Sequence, residues 1–199
     1  WHHQIVFLKA DIFGPVPEVV AYCSRLARGF ERGLVKDLAE AGATIREAVR
    51  GIVNPSEDAI VPCRVVVSNA YIKNYTFQSS IYFQSNPHEL TLRDVRLAIA
   101  QTRSVATIPL GEIIIQAVPQ EFLVNDLAGI RNPIGLEASR LGVTLRLLTM
   151  DYLVYSNLRK VLERSEVEVI DFVPSILASA DAVLRGSEKQ EGVILVSIG

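Results

Sequence analysis

The sequence predicts a mixed α/β fold in which a compact α+β unit is inserted between flanking segments of alternating helix and strand. Three observations predict this fold. The flanks alternate between strand and helix patterns, and the middle of the chain carries several strands around one helix. The last apolar run, at 193–196, is of the kind buried within a sheet. With 199 residues, 49% of them hydrophobic, the chain can bury a core of this size.

The first flank is predicted to begin with a hairpin and to continue into a capped helix. Residues 4–9 and 18–23 are β-rich and are separated by a turn that contains glycine and proline. Asp37 then precedes apolar residues at helical spacing, with Glu40 at the capping-box position. This helix is expected to end near Gly51.

The middle of the chain is predicted to be the α+β insert, over about 61–149. Thr91 is expected to cap its helix, with Asp94 at the capping-box position. Strands are expected over 64–68, 75–83, 112–118 with a continuation beyond Pro119, and 141–147.

The second flank is predicted to return to alternating helix and strand. Its elements are a helix capped at Asp151, a strand over 167–172, a helix after Pro174, a polar turn over 186–191 and a buried strand over 193–196. The helix after Asp151 is expected to face inward with Leu153, Leu158, Val161 and Leu162. Since the sequence ends directly after an apolar strand with nothing to cover it, we expect this chain to be part of a longer protein.

Composition and charge exclude several classes of protein. The 20 lysines and arginines do not exceed the 22 aspartates and glutamates, so a nucleic-acid partner is not expected. No run of about 18 uncharged apolar residues occurs, so any membrane role is expected to be indirect. Cys23 and Cys63 lie far apart in apolar segments, which is typical of reduced thiols in a cytoplasmic protein.

Catalytic signatures are absent from the sequence, which carries no nucleophile elbow, no phosphate-binding P-loop and no zinc-protease motif. No catalytic residue and no metal ligand are therefore expected. Glu121 follows Pro119 and Gln120 within apolar sequence and could act as a base, but a hydrogen-bonding role at a strand edge is favoured because no second acid or histidine lies nearby.

One loop carries the candidate binding residues. Gly129 and Gly135 flank an Asn-Pro pair, a pattern that specifies a defined loop conformation. Such a loop would present Arg131, Asn132 and, a few residues later, Arg140 to a partner protein. A plain structural turn fits the same pattern equally well.

Several separated motifs resemble FtsA, the bacterial actin-like cell-division family. They occur in that family's order over nearly the whole chain. They are RGFERG at 28–33 with Asp-Leu at 37–38, VPQEF at 118–122, GIRNPIGL at 129–136 with Arg-Leu at 140–141, and the strand at 192–199.

The resemblance implies an actin-like (ribonuclease H-like) subdomain 1A built from residues 1–58 and 150–190. It further implies that residues 59–149 form the inserted FtsA 1C subdomain, of SHS2 type. Residues 191–199 would be the first strand of a subdomain 2A.

The resemblance also implies a non-enzymatic scaffold of cell division. Proteins of this kind link the FtsZ ring to the inner face of the cell membrane at the septum, recruit later division proteins and self-associate through 1C. ATP with Mg²⁺ would be bound in a full-length protein. Here Ser197 and Gly199 would supply one edge of the second phosphate loop, and Ser197 stands where the family has an acid, so this chain is not expected to hydrolyse ATP.

Two other functions fit the same sequence. One is a nucleotide-dependent module of the actin and chaperone ATPase fold. The other is an FtsA-like assembly protein of a pilus or another membrane machine.

Overall fold

The chain divides into two compact units. Our computed structural model describes residues 4–11, 17–53, 61–68, 70–83 and 87–196. The inserted unit spans Tyr71–Tyr152, and the outer unit is formed by the residues before and after it.

The first half of the outer unit is built from two hairpins, a helix and a strand. β1 and β2 pair antiparallel, which confirms the predicted hairpin. β3 and β4 form a second, short hairpin. The elements are β1 (Gln4–Asp11), β2 (Glu18–Leu26), β3 (Phe30–Glu31), β4 (Leu34–Val35), α1 (Leu38–Arg50) and β5 (Val61–Val67).

Helix α1 begins at the predicted N-cap. The side chain of Asp37 accepts hydrogen bonds from the backbone N–H groups of Ala39 at 2.8 Å and Glu40 at 2.9 Å. These bonds satisfy two of the amides that a helix leaves unpaired at its start. The apolar face buries Ile45 and its neighbours at helical spacing, and Gly51 follows the last helical residue.

Gly29 lies against the first turn of α1 and must be glycine. Its φ is +77°, and a Cβ there would lie 2.3 Å from the backbone nitrogen of Ala41 and 2.7 Å from the carbonyl oxygen of Asp37. Its own carbonyl accepts hydrogen bonds from the N–H groups of Lys36 and Asp37, at 2.8 and 3.2 Å. The motif at 28–33 is therefore constrained here by close backbone packing.

The inserted unit is an antiparallel sheet with a helix on one face. The strand order is β6-β11-β8-β9, while β7 and β10 form a separate short ladder. The elements are β6 (Ile72–Tyr82), β7 (His88–Glu89), α2 (Leu92–Val105), β8 (Glu112–Val124), β9 (Leu127–Ile130), β10 (Glu137–Ala138) and β11 (Arg140–Asp151).

The core of the inserted unit lies between α2 and the central strand β11. Leu141, Val143, Leu145 and Leu147 alternate along β11, and all are fully buried in one cluster with residues of α2. The opposite face of the sheet carries polar residues such as Arg146, which is exposed. This two-residue period is that of an antiparallel sheet with one face covered.

Helix α2 begins with the predicted capping box. Thr91 Oγ1 accepts from the N–H of Asp94 at 3.4 Å, and the carboxylate of Asp94 accepts from the N–H of Thr91 at 2.9 Å. At the other end of the helix, the buried hydroxyl of Thr102 lies 2.6 Å from that of Ser79 on β6. Both ends of α2 are thus fixed by side-chain hydrogen bonds.

The second half of the outer unit begins directly after the inserted unit. β12 pairs parallel with β5. Within the described ranges, no helix combines the length and the apolar character needed to cross a bilayer. The elements are α3 (Tyr152–Glu163), β12 (Val167–Pro174), α4 (Ser175–Val183) and α5 (Gly186–Glu191).

The boundary of the insert differs from the one predicted from the sequence. The prediction assigned β5 to the insert at 59–149, whereas the structure pairs β5 with β12 and begins the inserted unit at Tyr71. The partner of a parallel strand lies beyond a long crossover, here about a hundred residues away, and local periodicity does not reveal it. At the other end, β11 continues through Asp151, past the predicted limit of 149.

Three further predictions for the second flank are corrected. Helix α3 begins directly after Asp151, the residue predicted to precede it, and buries Leu158, Val161 and Leu162, but Leu153 is 69% exposed instead of inward. Residues 186–191 form the short helix α5, not a polar turn. Residues 193–196, predicted as a buried strand at the start of 191–199, form no strand, and Ile194 is 88% exposed. In the described part of the chain no strand lies beside this run, and a strand requires a partner for its backbone groups.

Candidate protein-interaction surface

The predicted binding residues lie at one end of the inserted sheet and in the loop that leads to it. Gly129 is in β9, Arg131 and Asn132 are in the loop between β9 and β10, and Arg140 is the first residue of β11. The structure divides them into two groups with different neighbours, an arginine cluster around Arg140 and a loop from 131 to 136.

The arginine cluster is organised by Asn125. Asn125 and Asp126 both have positive φ, 47° and 71°, and they form the two-residue connection between β8 and β9. The side-chain oxygen of Asn125 accepts from the N–H groups of Ser139 at 3.0 Å and Arg140 at 3.2 Å. Its amide nitrogen donates to the carbonyl of Glu137 at 3.3 Å. The hairpin is therefore fixed to the start of β11.

Arg140 is held between an acid and an aromatic ring. Its guanidinium pairs with the carboxylate of Asp126, and its Cζ lies 5.2 Å from the centre of the Tyr82 ring. The Tyr82 residue is 70% exposed, and 32% of the Arg140 side chain remains accessible. A positioned arginine beside an accessible aromatic ring is a combination enriched in protein interfaces.

Gly129 contributes backbone geometry. Its φ is +79°, and a Cβ there would meet nothing within 4 Å. Its N–H donates to Oε2 of Glu121 at 2.9 Å, while Oε1 of Glu121 lies 3.5 Å from the hydroxyl of Thr144. Glu121 therefore has the hydrogen-bonding role at a strand that the sequence favoured, and it joins β8 to both neighbouring strands.

The loop from 131 to 136 is anchored away from Arg140. Two backbone hydrogen bonds of 2.9 Å join it to Leu90, one from the N–H of Gly135 and one to the carbonyl of Leu136. The side chain of Asn132 accepts from the N–H of Ile134 at 3.2 Å, which is an Asx turn. Arg131 is exposed, and Ile134 is 46% exposed. The loop thus presents a cation and an apolar side chain from a fixed backbone.

Sequence reasoning missed Asn125, Asp126 and Tyr82. The Asn-Asp pair between two β-rich runs is a recognisable signal for a two-residue hairpin turn, and it could have predicted β9 as well. Tyr82 had no such signal, because its position beside Arg140 follows from the register that pairs Arg140 with Tyr82.

A second cluster, centred on Glu112, lies on the inserted sheet and was not predicted. The Glu112 side chain is 7% exposed, and its carboxylate lies 2.8 Å from Nζ of Lys73. It also accepts hydrogen bonds from the hydroxyls of Tyr75 at 3.1 Å and Thr149 at 2.6 Å. Hydrogen bonds from Lys73 and Thr149 hold the pKa of Glu112 below the ordinary glutamate value. The hydrogen bond to Glu112 raises the pKa of Lys73. The cluster joins the three strands β6, β8 and β11.

The predicted phosphate-loop residues Ser197 and Gly199 lie outside the described residues. Among the residues that the structure describes, no group of three histidine, cysteine, aspartate or glutamate side chains could hold a metal ion. Cys63 is a free thiol, and burial raises its pKa.

The inserted unit coincides with a known domain. Residues 69–149 match the family model described as the SHS2 domain inserted in FtsA. This is the part of the chain that holds the arginine cluster, the loop from 131 to 136 and the Glu112 cluster.

Most of the chain is similar to proteins named cell division protein FtsA. Identity is 27% over 173 residues with that of Neisseria meningitidis serogroup B, covering 87% of this chain and 41% of the relative. It is 30% over 175 residues in Buchnera aphidicola subsp. Baizongia pistaciae (86% and 40%) and 28% over 177 residues in Bacillus subtilis (87% and 39%). The chain therefore spans about 40% of the length of the curated relatives it matches.

A solved structure described as the PilM-PilN type IV pilus biogenesis complex shares the fold. The TM-score is 0.54 at 12% identity, and the match covers 89% of this chain and 46% of that chain. The predicted resemblance to FtsA is confirmed, as is the predicted fold class, an actin-like α/β unit with an inserted SHS2-type subdomain.

Proposed function

Since this chain carries the SHS2 domain that is inserted in FtsA and is similar to FtsA proteins over about nine tenths of its length, we propose that it is a scaffold segment of cell division. In this role it recruits later division proteins through protein–protein contacts and makes no covalent bonds. The proposed contact surface is the arginine cluster together with the loop from 131 to 136.

The single observation that carries this proposal is the fixed position of Arg140. Its guanidinium is oriented by Asp126 and the ring of Tyr82, and the hairpin beneath it is pinned by Asn125. A side chain ordered before binding loses little conformational entropy when the partner docks. Arginine and tyrosine are also the residue types that most often dominate interface energies.

Apolar side chains extend this surface and determine the kind of partner it suits. Leu127 is 70% exposed, Ile134 46% and Leu136 42%. The proposed surface also carries the accessible part of the Arg140 side chain and the ring of Tyr82. Such a surface fits a short segment that carries an acidic residue next to apolar residues. We propose that the cytoplasmic segments of later division proteins supply such a sequence.

The wider role belongs to the full-length context. We propose that the complete protein links the FtsZ ring to the inner face of the cell membrane at the septum, with membrane attachment lying outside this chain. Self-association through the inserted unit is part of the same proposal, because a scaffold gains avidity when its copies assemble.

We further propose that ATP with Mg²⁺ is bound in the full-length protein and is not hydrolysed by this chain alone. ATP binding in the full-length protein is proposed from the FtsA resemblance, and the absence of hydrolysis by this chain from Ser197, which stands where that resemblance expects an acid to hold the metal ion. Calorimetry of the chain with Mg-ATP tests it. Micromolar binding by the chain alone would overturn this interpretation of Ser197.

A titration tests the recruitment proposal. Fluorescently labelled cytoplasmic segments of later division proteins are titrated with the wild-type chain, Arg140→Ala and the matched control Arg146→Ala. Arg146 lies on the polar face of the same strand and bonds to Asn74 at 3.0 Å. Wild type and the control are expected to bind alike, and Arg140→Ala about tenfold or more weakly. Absence of wild-type binding, or equal binding by both variants, contradicts the proposal.

A second candidate function is assembly of a pilus or another membrane machine, and the fold shared with the PilM-PilN complex favours it. A cytoplasmic segment of a PilN-type protein serves as the comparison ligand in the same titration. Preference for that segment over every division-protein segment would replace the division proposal with this one.

A further inference from the structure

β6 is a long edge strand of the inserted sheet. In the described part of the chain its one strand neighbour is β11, with which it pairs over eleven residues. The register with β11 is unbroken from Ile72 to Tyr82. The other edge of β6 therefore carries backbone N–H and C=O groups that no described strand pairs, and such an edge is a template for a further strand.

On the opposite side of the sheet, the four-residue edge strand β9 pairs with β8 only between Phe122 and Val124, and the rest of β8 is protected against further pairing. The register between β8 and β11 jumps at two places, which leaves Ile115 and Gln120 as extra residues in β8. Pro119 lies between them and has no N–H to donate. Bulges and proline are devices by which edge strands avoid edge-to-edge association. β6 has neither a bulge nor a proline.

The side chains of β6 also lack the charges that usually keep edge strands apart. The face of β6 opposite α2 carries Asn74, Thr76, Gln78 and Ser80, all uncharged, and the first three are exposed. The single charge of the strand belongs to Lys73, and it is paired with Glu112. A second copy of the same strand would therefore meet no like charge from β6 itself, and the nearby guanidinium of Arg146 on β11 is bonded to Asn74.

We propose that two copies of this chain pair antiparallel through their β6 edges and form one continuous eight-stranded sheet across the dimer. The inference rests on the self-association proposed above and names its place. A two-fold axis at Phe77 lets all eleven residues of β6 pair. Thr76 then faces Gln78 of the second copy and Asn74 faces its Ser80, so each pair joins two uncharged polar side chains.

The two-fold arrangement also keeps the charged residues of the two β6 strands apart. In the two-fold arrangement each Lys73 faces Ile81 of the other copy, so the two Lys73 residues lie at opposite ends of the paired strands. Each remains beside its own Glu112. Added lysines at the centre of the edge would, by contrast, lie close to their symmetry mates.

The test is the oligomeric state of the full chain, measured by sedimentation velocity over a concentration series. Gln78→Lys places a lysine near the axis, diagonal to the same lysine of the second copy. Gln120→Lys is the matched control, because it adds the same charge to the protected strand β8. Thr76→Glu/Gln78→Lys places opposite charges in facing positions and serves as the rescue.

Wild type and Gln120→Lys are expected to dimerise alike, Gln78→Lys about threefold to tenfold more weakly, and the rescue variant as strongly as wild type. Thermal unfolding of dilute protein checks that all variants remain folded. A dimer that Gln78→Lys leaves unchanged would overturn the β6 inference while leaving self-association intact. A wild-type chain that stays monomeric at every concentration would overturn both, and the recruitment titration would still stand as a separate result.

Discussion

The guanidinium carbon of Arg140 lies 5.2 Å from the centre of the Tyr82 ring, across the pairing of β11 with the edge strand β6. Asp126 holds the same guanidinium from the other side. Arg140 is thus oriented by Tyr82 on the neighbouring strand β6 and by Asp126 in the turn between β8 and β9. This arrangement gives the proposed contact surface its fixed shape.

The contribution of the Tyr82 ring can be measured by changing its character. Tyr82→Leu is expected to lower the free energy of unfolding by about 0.5–1 kcal/mol, because an exposed cation–π contact is worth about that much. Tyr82→Phe keeps the ring and is expected to match wild type. Urea denaturation of dilute protein gives both values. Equal losses in the two variants would show that the ring does not stabilise Arg140.

The Glu112 cluster predicts a dependence of stability on pH. The folded pKa of Glu112 is lowered, so its contribution to stability is fully present above the unfolded value of about 4.3 and is lost as pH falls through the folded pKa. The difference in unfolding free energy between wild type and Glu112→Gln is therefore expected to be largest near neutral pH and to shrink below about pH 4.

The matched control for Glu112 is Glu89→Gln, which changes an exposed glutamate of the same unit. Chemical denaturation at a series of pH values gives the stability of both variants relative to wild type. If the loss of unfolding free energy depends on pH in the same way in Glu112→Gln and Glu89→Gln, the Glu112 cluster does not stabilise the pairing of the three strands as inferred.

The capping box of α2 predicts a specific loss on truncation. Thr91→Ala is expected to lower the unfolding free energy by about 1 kcal/mol, because the N–H of Asp94 loses its acceptor. Ser104→Ala removes a hydroxyl at the exposed end of the same helix, where it donates to the carbonyl of Gln101. That control is expected to lose less than Thr91→Ala, and the opposite order in thermal denaturation would contradict the assignment of the cap.

Alanine substitutions at Gly29 and Gly129 distinguish the free-energy cost of backbone strain from that of a steric clash. Both have positive φ, but an added Cβ clashes with backbone atoms of α1 at Gly29 and meets open space at Gly129. Gly129→Ala is expected to cost about 1–2 kcal/mol for the left-handed conformation alone. Gly29→Ala is expected to cost clearly more, and equal losses in urea denaturation would refute the close packing described for the motif at 28–33.

The sequence predicted the elements whose signals are local. Asp37 and Thr91 were recognised as helix caps because the capping pattern lies within four residues. The alternation of 141–147 predicted β11 and its buried face. The long strand β8 was predicted as two pieces, because Pro119 interrupts a pattern that the structure carries through with a bulge.

The sequence could not predict what depends on distant partners. β5 was assigned to the insert because its parallel partner β12 follows only after the whole inserted unit. The Glu112 cluster combines Lys73, Tyr75 and Thr149, which the register of three strands brings together. Arg140 was identified as a candidate, whereas Tyr82 and Asp126 were found only when the sheet end was assembled.

The most direct measurement of the central claim is hydrogen–deuterium exchange of the chain alone and saturated with a cytoplasmic segment of a later division protein. We predict new protection of backbone amides over 125–140, which covers the arginine cluster and the loop from 131 to 136. Arg140→Ala is expected to reduce this protection at the same ligand concentration. Protection confined to the outer unit, or none at saturating ligand, would contradict the account.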